Sequence, residues 1–126
     1  MNTTLTLLFA TYSSMFHLPP GLLSSLCFVE SRHTVTAVHQ DDGTSNSLGV
    51  CQVQLPAAQL VGFKGMEEDL MEPEINVYYA AKYLAHQIHR YKGSTYKGII
   101  AYNRGSAKNL TRTAYADKVM KEWGKQ

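Results

Sequence analysis

Apolar residues recur at helical spacing along most of the chain. Leu5, Leu8, Phe9, Tyr12 and Phe16 form one such stripe, so Met1 to Phe16 reads as a packed first helix. Pro19 and Pro20 break it and can start a second helix, because proline is tolerated in a first turn. That second helix runs to about Ser31 and carries Leu22, Leu23, Leu26, Cys27, Phe28 and Val29. The stretch from His39 to Ser47 is rich in turn formers and lies between two short strand-like segments, and its Asp-Gly step suits a hairpin. A short helix begins near Pro56. The clearest helix follows, with Val77, Ala80, Ala81, Leu84, Ile88 and Tyr91 on one stripe and Gly93 as its stop. "YKGIIAYN" is another short apolar helix, broken by Gly105, and Tyr115, Val119 and Trp123 mark a last one. The pattern predicts a mainly α (α+β) fold with one small β-hairpin.

The length of 126 residues suits a single domain, 1–126, with a modest core. The composition, 44% hydrophobic and 17% charged, is usual for a globular protein. A net charge of +2 gives no case for nucleic acid, which calls for a clustered basic face. The N-terminal apolar stretch lacks a positively charged start and a small-residue cleavage site, so no signal peptide is expected. It is also too short and interrupted to span a bilayer. Cys27 and Cys51 alone define neither a disulfide framework nor a metal site. They read as two buried thiols, with a disulfide open if their segments meet. His86 and His89 stand i, i+3 on the long helix, but a metal site needs a third ligand that the sequence does not supply.

The chemistry points to Glu30. Leu23, Cys27 and Glu30 fall at i, i+4 and i+7, which puts the carboxylate at the end of an apolar face. An acid there loses hydration, its pKa rises, and it keeps a proton that a general acid can use. A solvated Glu at a helix end is the bland alternative.

Glu30-Ser31, then "SLGVCQVQLP", then "DLMEPEINVYYAAKYL", then "AYNRG" occur in an order that resembles the SLT-type lytic transglycosylases of the goose-type lysozyme superfamily. The resemblance covers roughly residues 19 to 120. It implies a lysozyme-like fold, with helical lobes and a small hairpin beside a substrate cleft. The implied substrate is peptidoglycan, cut at the β-1,4 bond between N-acetylmuramic acid and N-acetylglucosamine. Glu30 matches the family acid, which protonates the bridge oxygen and then acts as base while the muramoyl 6-hydroxyl closes a 1,6-anhydro ring. Ordinary glycosidases divide this work between two carboxylates. That chemistry requires no cofactor and no metal.

Further roles carry over from the resemblance by position. Ser31 follows the acid and can cap the helix end. Gly49 lets the strand pass close to sugar. Gln52 can hydrogen-bond sugar or Glu30, and the Tyr102 hydroxyl can orient Glu30 or the substrate acetamido group. Asn103 is open between a turn role and ligand contact, and Tyr115 between groove and core. His39 falls where relatives carry a substrate-contacting hydroxyl, although a loop histidine is commonly just solvated. Cys51 departs from the usual Met, so the substrate floor loses bulk or gains a thiol. Cys27 lies one turn before Glu30, which can bring the two thiols together near the site.

Two other readings stand beside this one. A hydrolytic goose-type lysozyme would need Asp41 or Asp42 to place water, although Asp-Asp-Gly is ordinary turn composition. A silent wall-binding or virion structural module would not need Glu30, Gln52 and Tyr102 together. Small size and the lack of an evident export signal suggest a phage product acting on the host wall or periplasm. Its expected partners are glycan strands and virion or tail proteins, with the isolated domain a monomer. A plasmid or secretion-system enzyme is the alternative.

Overall fold

Asn2 opens the first helix: its side chain accepts from the Thr4 N–H, and α1 then runs Thr3–Met15. Leu5 and Phe9 are buried along it, and Leu8, Tyr12 and Phe16 pack at the edge of the same core. The computed structural model describes residues 2–40 and 45–126. The remaining helices are α2 (Leu22–Ser31), α3 (Leu55–Leu60), α4 (Pro73–Arg90), α5 (Thr95–Arg104) and α6 (Ala114–Trp123), with a 3-10 turn at Glu67–Met71 before α4. The fold is mainly helical with a small antiparallel sheet, consistent with a lysozyme-like architecture of helical lobes.

The sheet is larger than the expected hairpin. β1 (Val38–His39) pairs with β2 (Ser47–Leu48), and β3 (Val53–Gln54) adds a third strand in the order β1-β2-β3. β3 is two residues long and runs straight into α3, so period-2 alternation has no room to show itself. The expected Asp42-Gly43 turn, with Asp41, lies outside the described residues. The prolines also play a different part from the expected one. Leu22 N–H donates to the Pro19 carbonyl, and α2 begins after Gly21, so Pro19 and Pro20 form a turn ahead of the helix.

α4 is the central strut, packed on α1, α3 and α5. Val77, Ala80, Ala81 and Leu84 on its predicted stripe are fully buried, whereas Ile88 and Tyr91 lie at the core's edge. Gly98 lets α5 come close, since a β-carbon there would sit 2.8 Å from the Ile88 α-carbon. That approach sets the height at which Tyr102 and Asn103 leave the end of α5. α2 packs on α6 through Leu22, Leu23, Leu26, Ala116 and Val119, all fully buried.

Cys27 and Cys51 are joined in a disulfide, with α-carbons 4.3 Å apart: their segments meet, and the disulfide left open beside two buried thiols is the one that forms. The bond ties α2 to the loop between β2 and β3. No described helix is long and apolar enough to cross a membrane.

Candidate active site

α2 ends at Ser31 because Arg32 turns into the left-handed region, its N–H donating to the Phe28 carbonyl. Glu30 is thus held in the last turn, on the face of fully buried Leu23 and Cys27. Burial pushes its carboxyl up to about 7, against a smaller lowering by a hydrogen bond from Tyr115. The Tyr115 hydroxyl donates to Glu30 Oε2 at 2.5 Å. Tyr115 is itself raised well above the ordinary tyrosine range by burial and by the Glu30 charge, so it stays a donor. An acid poised near neutrality, with one fixed donor to its ionised form, can give a proton and take one back.

Opposite stands the loop of residues 49–52, whose conformation is set by buried partners. Asn76, fully buried on α4, accepts from the Cys51 N–H at 2.8 Å and donates to the Leu48 and Leu70 carbonyls, both at 2.7 Å. The Ser31 hydroxyl donates to the Val50 carbonyl at 2.6 Å and accepts from the Thr34 N–H at 3.0 Å. The Tyr102 hydroxyl donates to the Cys51 carbonyl at 2.8 Å. The Gln52 amide donates to the Gly49 and Ala37 carbonyls, at 2.9 and 3.2 Å. These bonds hold Gln52 at φ +53°, a left-handed conformation that costs a non-glycine residue energy.

Between the acid and the loop lies a cleft. Glu30, Gln52, Val53, Tyr83, Tyr102 and Asn103 line it, with Ser47, Gln54 and Arg104. Its wall is polar and its rim carries a cation, as suits a hydroxyl-rich ligand. The family model of the transglycosylase SLT domain matches residues 8–122. The chain belongs to that family.

Two curated relatives of this SLT domain are informative. The X polypeptide of Escherichia coli is 30% identical over 110 residues, which cover 82% of this chain and 64% of that protein. The peptidoglycan transglycosylase gp16 of Escherichia phage T7 is 30% identical over 90 residues, 69% of this chain and 6% of that protein. The chain therefore spans about two thirds of the first relative and a small part of the second.

The structure distributes the expected site residues of the SLT domain unevenly. Glu30, Gln52, Tyr102 and Asn103 meet at the cleft. Tyr115, on α6, is not among the residues that line the cleft and bonds the acid from behind the lining. For Tyr102 and Gln52, the option of a contact with Glu30 is not taken up. Tyr102 bonds the carbonyl of disulfide-linked Cys51 instead of Glu30. Gln52 likewise spends both amide bonds on backbone instead of on Glu30. Gly49 is buried at φ +74°, and a β-carbon there would sit 2.5 Å from Asn76 Nδ2, so the close approach it permits is to Asn76. Ser31 ties the helix end to the loop. His39 is exposed on β1 and pairs with Ser47 in the neighbouring strand, at the outer edge of the sheet. The choice between lost bulk and a gained thiol at Cys51 is replaced by the disulfide. His86 stacks beside Tyr83 at 6.5 Å, and no cluster of three metal-ligating side chains occurs among the described residues.

Asn76 and Tyr83 belong to the motif stretch but carried no role there; the structure makes Asn76 the organiser of the loop and Tyr83 part of the cleft wall. Both had a signal. Asn76 is an amide next to Val77 at the start of an apolar stripe, and a buried amide must be bonded. Tyr83 stands between Ala80 and Leu84, on the edge of the buried face.

Proposed function

We propose that this SLT domain is a peptidoglycan lytic transglycosylase that cuts the β-1,4 bond between N-acetylmuramic acid and N-acetylglucosamine. The observation that carries the reading is the Glu30 carboxyl, desolvated, bonded to Tyr115 and open to the cleft. Glu30 gives its proton to the glycosidic oxygen as the bond to the anomeric carbon breaks. The substrate acetamido group steadies the positive anomeric centre. The muramoyl 6-hydroxyl oxygen then bonds that carbon, and its proton goes to Glu30. The products are a 1,6-anhydromuramoyl end and a free 4-hydroxyl, and no water is consumed.

Tyr115 acts at the midpoint. Its hydrogen bond favours the carboxylate that exists after the first proton leaves, so the acid becomes a placed base without moving. The polar wall of Gln52, Gln54, Tyr83 and Asn103 supports a glycan ligand. The name of the T7 relative supports the wall as substrate and a phage setting. The Cys27–Cys51 disulfide supports work outside a reducing cytoplasm, in the periplasm or at the wall.

Mass spectrometry of muropeptides released from purified wall tests the reaction. Products lacking the added water are expected, and products heavier by one water would replace the reading with hydrolysis. Clearing of a wall suspension by the Glu30→Gln variant would overturn the assignment of the acid.

A further inference from the structure

A second groove lies on the far side of α2 from the cleft, between α2 and α6. Phe28 and Val29, half-buried, form its floor. Arg32, Lys118, Lys121 and Lys125 stand around it, all exposed, with Glu122 as the one carboxylate. Glu122 is paired with Lys125 at 3.3 Å. Lys118 and Lys121 make no ion pair among the described residues. The Arg32 guanidinium lies 5.3 Å from the Phe28 ring centroid, spread over the apolar floor. The result is a concave surface with four cations, one carboxylate and a greasy base.

Its position relative to the acid is fixed by the same two helices. Phe28 and Val29 immediately precede Glu30. Lys118 follows Tyr115 by three residues on α6, about one turn from the hydroxyl that bonds Glu30.

We propose that this groove binds the acidic peptide stems of the glycan, with Arg32, Lys118, Lys121 and Lys125 meeting their carboxylates and Phe28 and Val29 meeting their aliphatic side chains. The proposal rests on the glycan-cleaving function proposed above, and it names what lies beside the sugars. Peptidoglycan suits such a groove because short peptides with free carboxylates and alanyl methyl groups hang from its muramoyl residues. A flexible charged ligand at an exposed groove binds weakly, so its effect is on capture of substrate more than on the chemical step.

Two measurements separate this proposal from the parent reading. In the first, wild-type protein and a Lys118→Glu/Lys121→Glu variant act on intact wall and on glycan strands stripped of peptide by an amidase. The variant is expected to lose about fivefold in kcat/KM on intact wall, the size of two exposed ion pairs, with kcat preserved. It should match the wild type on stripped strands. Equal loss on both substrates, or no loss on intact wall, would overturn the proposal. In the second, a free acidic stem tetrapeptide is titrated into the labelled protein at low and high salt. Amide shifts at Phe28, Arg32, Lys118 and Lys121 that weaken with salt are expected, and this readout survives even if no glycan is cut. Absence of those shifts, or equal binding of anionic lipid vesicles or duplex DNA at the same residues, would overturn the peptide assignment.

Discussion

The two walls of the cleft are held in opposite ways. On the helical wall, Glu30 has one hydrogen-bond partner among the described residues, Tyr115, and it stands on the face of fully buried Leu23 and Cys27. On the loop wall, every backbone carbonyl from Leu48 to Cys51 accepts from a side chain, Asn76, Gln52, Ser31 and Tyr102 in turn, and Asn76 also accepts from the Cys51 N–H. The first wall is under-solvated, and its chemistry comes from that deprivation. The second is over-determined, which lets it keep Gly49 and Gln52 at positive φ without relaxing. One wall stores a proton and the other stores a shape. The disulfide and Ser31 join them, so the acid keeps its distance from the loop.

Removing the acid should give the largest effect. Glu30→Gln is expected to lower wall-clearing activity by about 10³-fold, in the range a positioned acid/base contributes. The same change should stabilise the protein at alkaline pH. Burial raises the Glu30 carboxyl from 4.5 to about 7, so the folded state holds the proton more tightly than the unfolded chain. Its stabilising contribution is full below pH 4.5 and is lost as pH rises through 7. The upper bound of that loss is roughly 3 kcal/mol at pH 8, at 1.36 kcal/mol per unit. Denaturant melts of both proteins at pH 8 and pH 4 test it: the variant should win at pH 8 and the gap should close at pH 4. Equal stability at both pH values would mean that the helical wall does not starve its acid of water.

The loop wall should fail through its organiser. Asn76→Ala strips the Cys51 N–H and the Leu48 and Leu70 carbonyls of their buried partner. Orphaned groups cost about 1–3 kcal/mol each, so a loss of about 3 kcal/mol or more is expected in a thermal or denaturant melt. A loss under about 1 kcal/mol would show that the loop keeps its shape without Asn76. The disulfide should matter comparably to stability and less to shape. Replacing both Cys27 and Cys51 by Ala reopens a 24-residue separation, worth about 3 kcal/mol of chain entropy. Because the side-chain bonds to the loop remain, the folded variant should keep most of its activity well below its melting temperature. Loss of activity without unfolding would make the covalent link, and not the hydrogen bonds, the keeper of the cleft.

The helical wall was far more legible in the sequence than the loop wall. Leu23, Cys27 and Glu30 share a face by spacing alone, and periodicity carried α1, α2, α4, α5 and α6 because each buries a stripe. β3 escaped because two residues carry no period. Contacts that cross the fold escaped for a different reason. The hydroxyls of Tyr102 and Tyr115 end 51 and 85 residues away in sequence from their partners. Both tyrosines could be placed near the cleft by motif, but nothing local decides which one meets the acid and which one meets a carbonyl. The pairing of Cys27 with Cys51 stays open behind the same gap: the order of the motifs can bring the two thiols near the site, but nothing local decides whether they bond.

That division between the tyrosines supplies the finest test. Tyr115→Phe removes the one hydrogen bond that lowers the Glu30 pKa, so the group should titrate higher still. As the acid must be protonated at the start of the reaction, activity falls as pH rises through its pKa. The alkaline limb of the kcat/KM profile should therefore move up, by about 0.5–1 unit if the bond is worth about 1 kcal/mol. The rate at the optimum should fall as well, because the carboxylate that must take back a proton loses its support. Tyr102→Phe is the matched control. Its hydroxyl serves the Cys51 carbonyl, so the melt should drop by about 1 kcal/mol while the alkaline limb stays in place. If Tyr102→Phe moved the limb and Tyr115→Phe did not, the two walls would have exchanged their roles, and the proton would be governed from the loop.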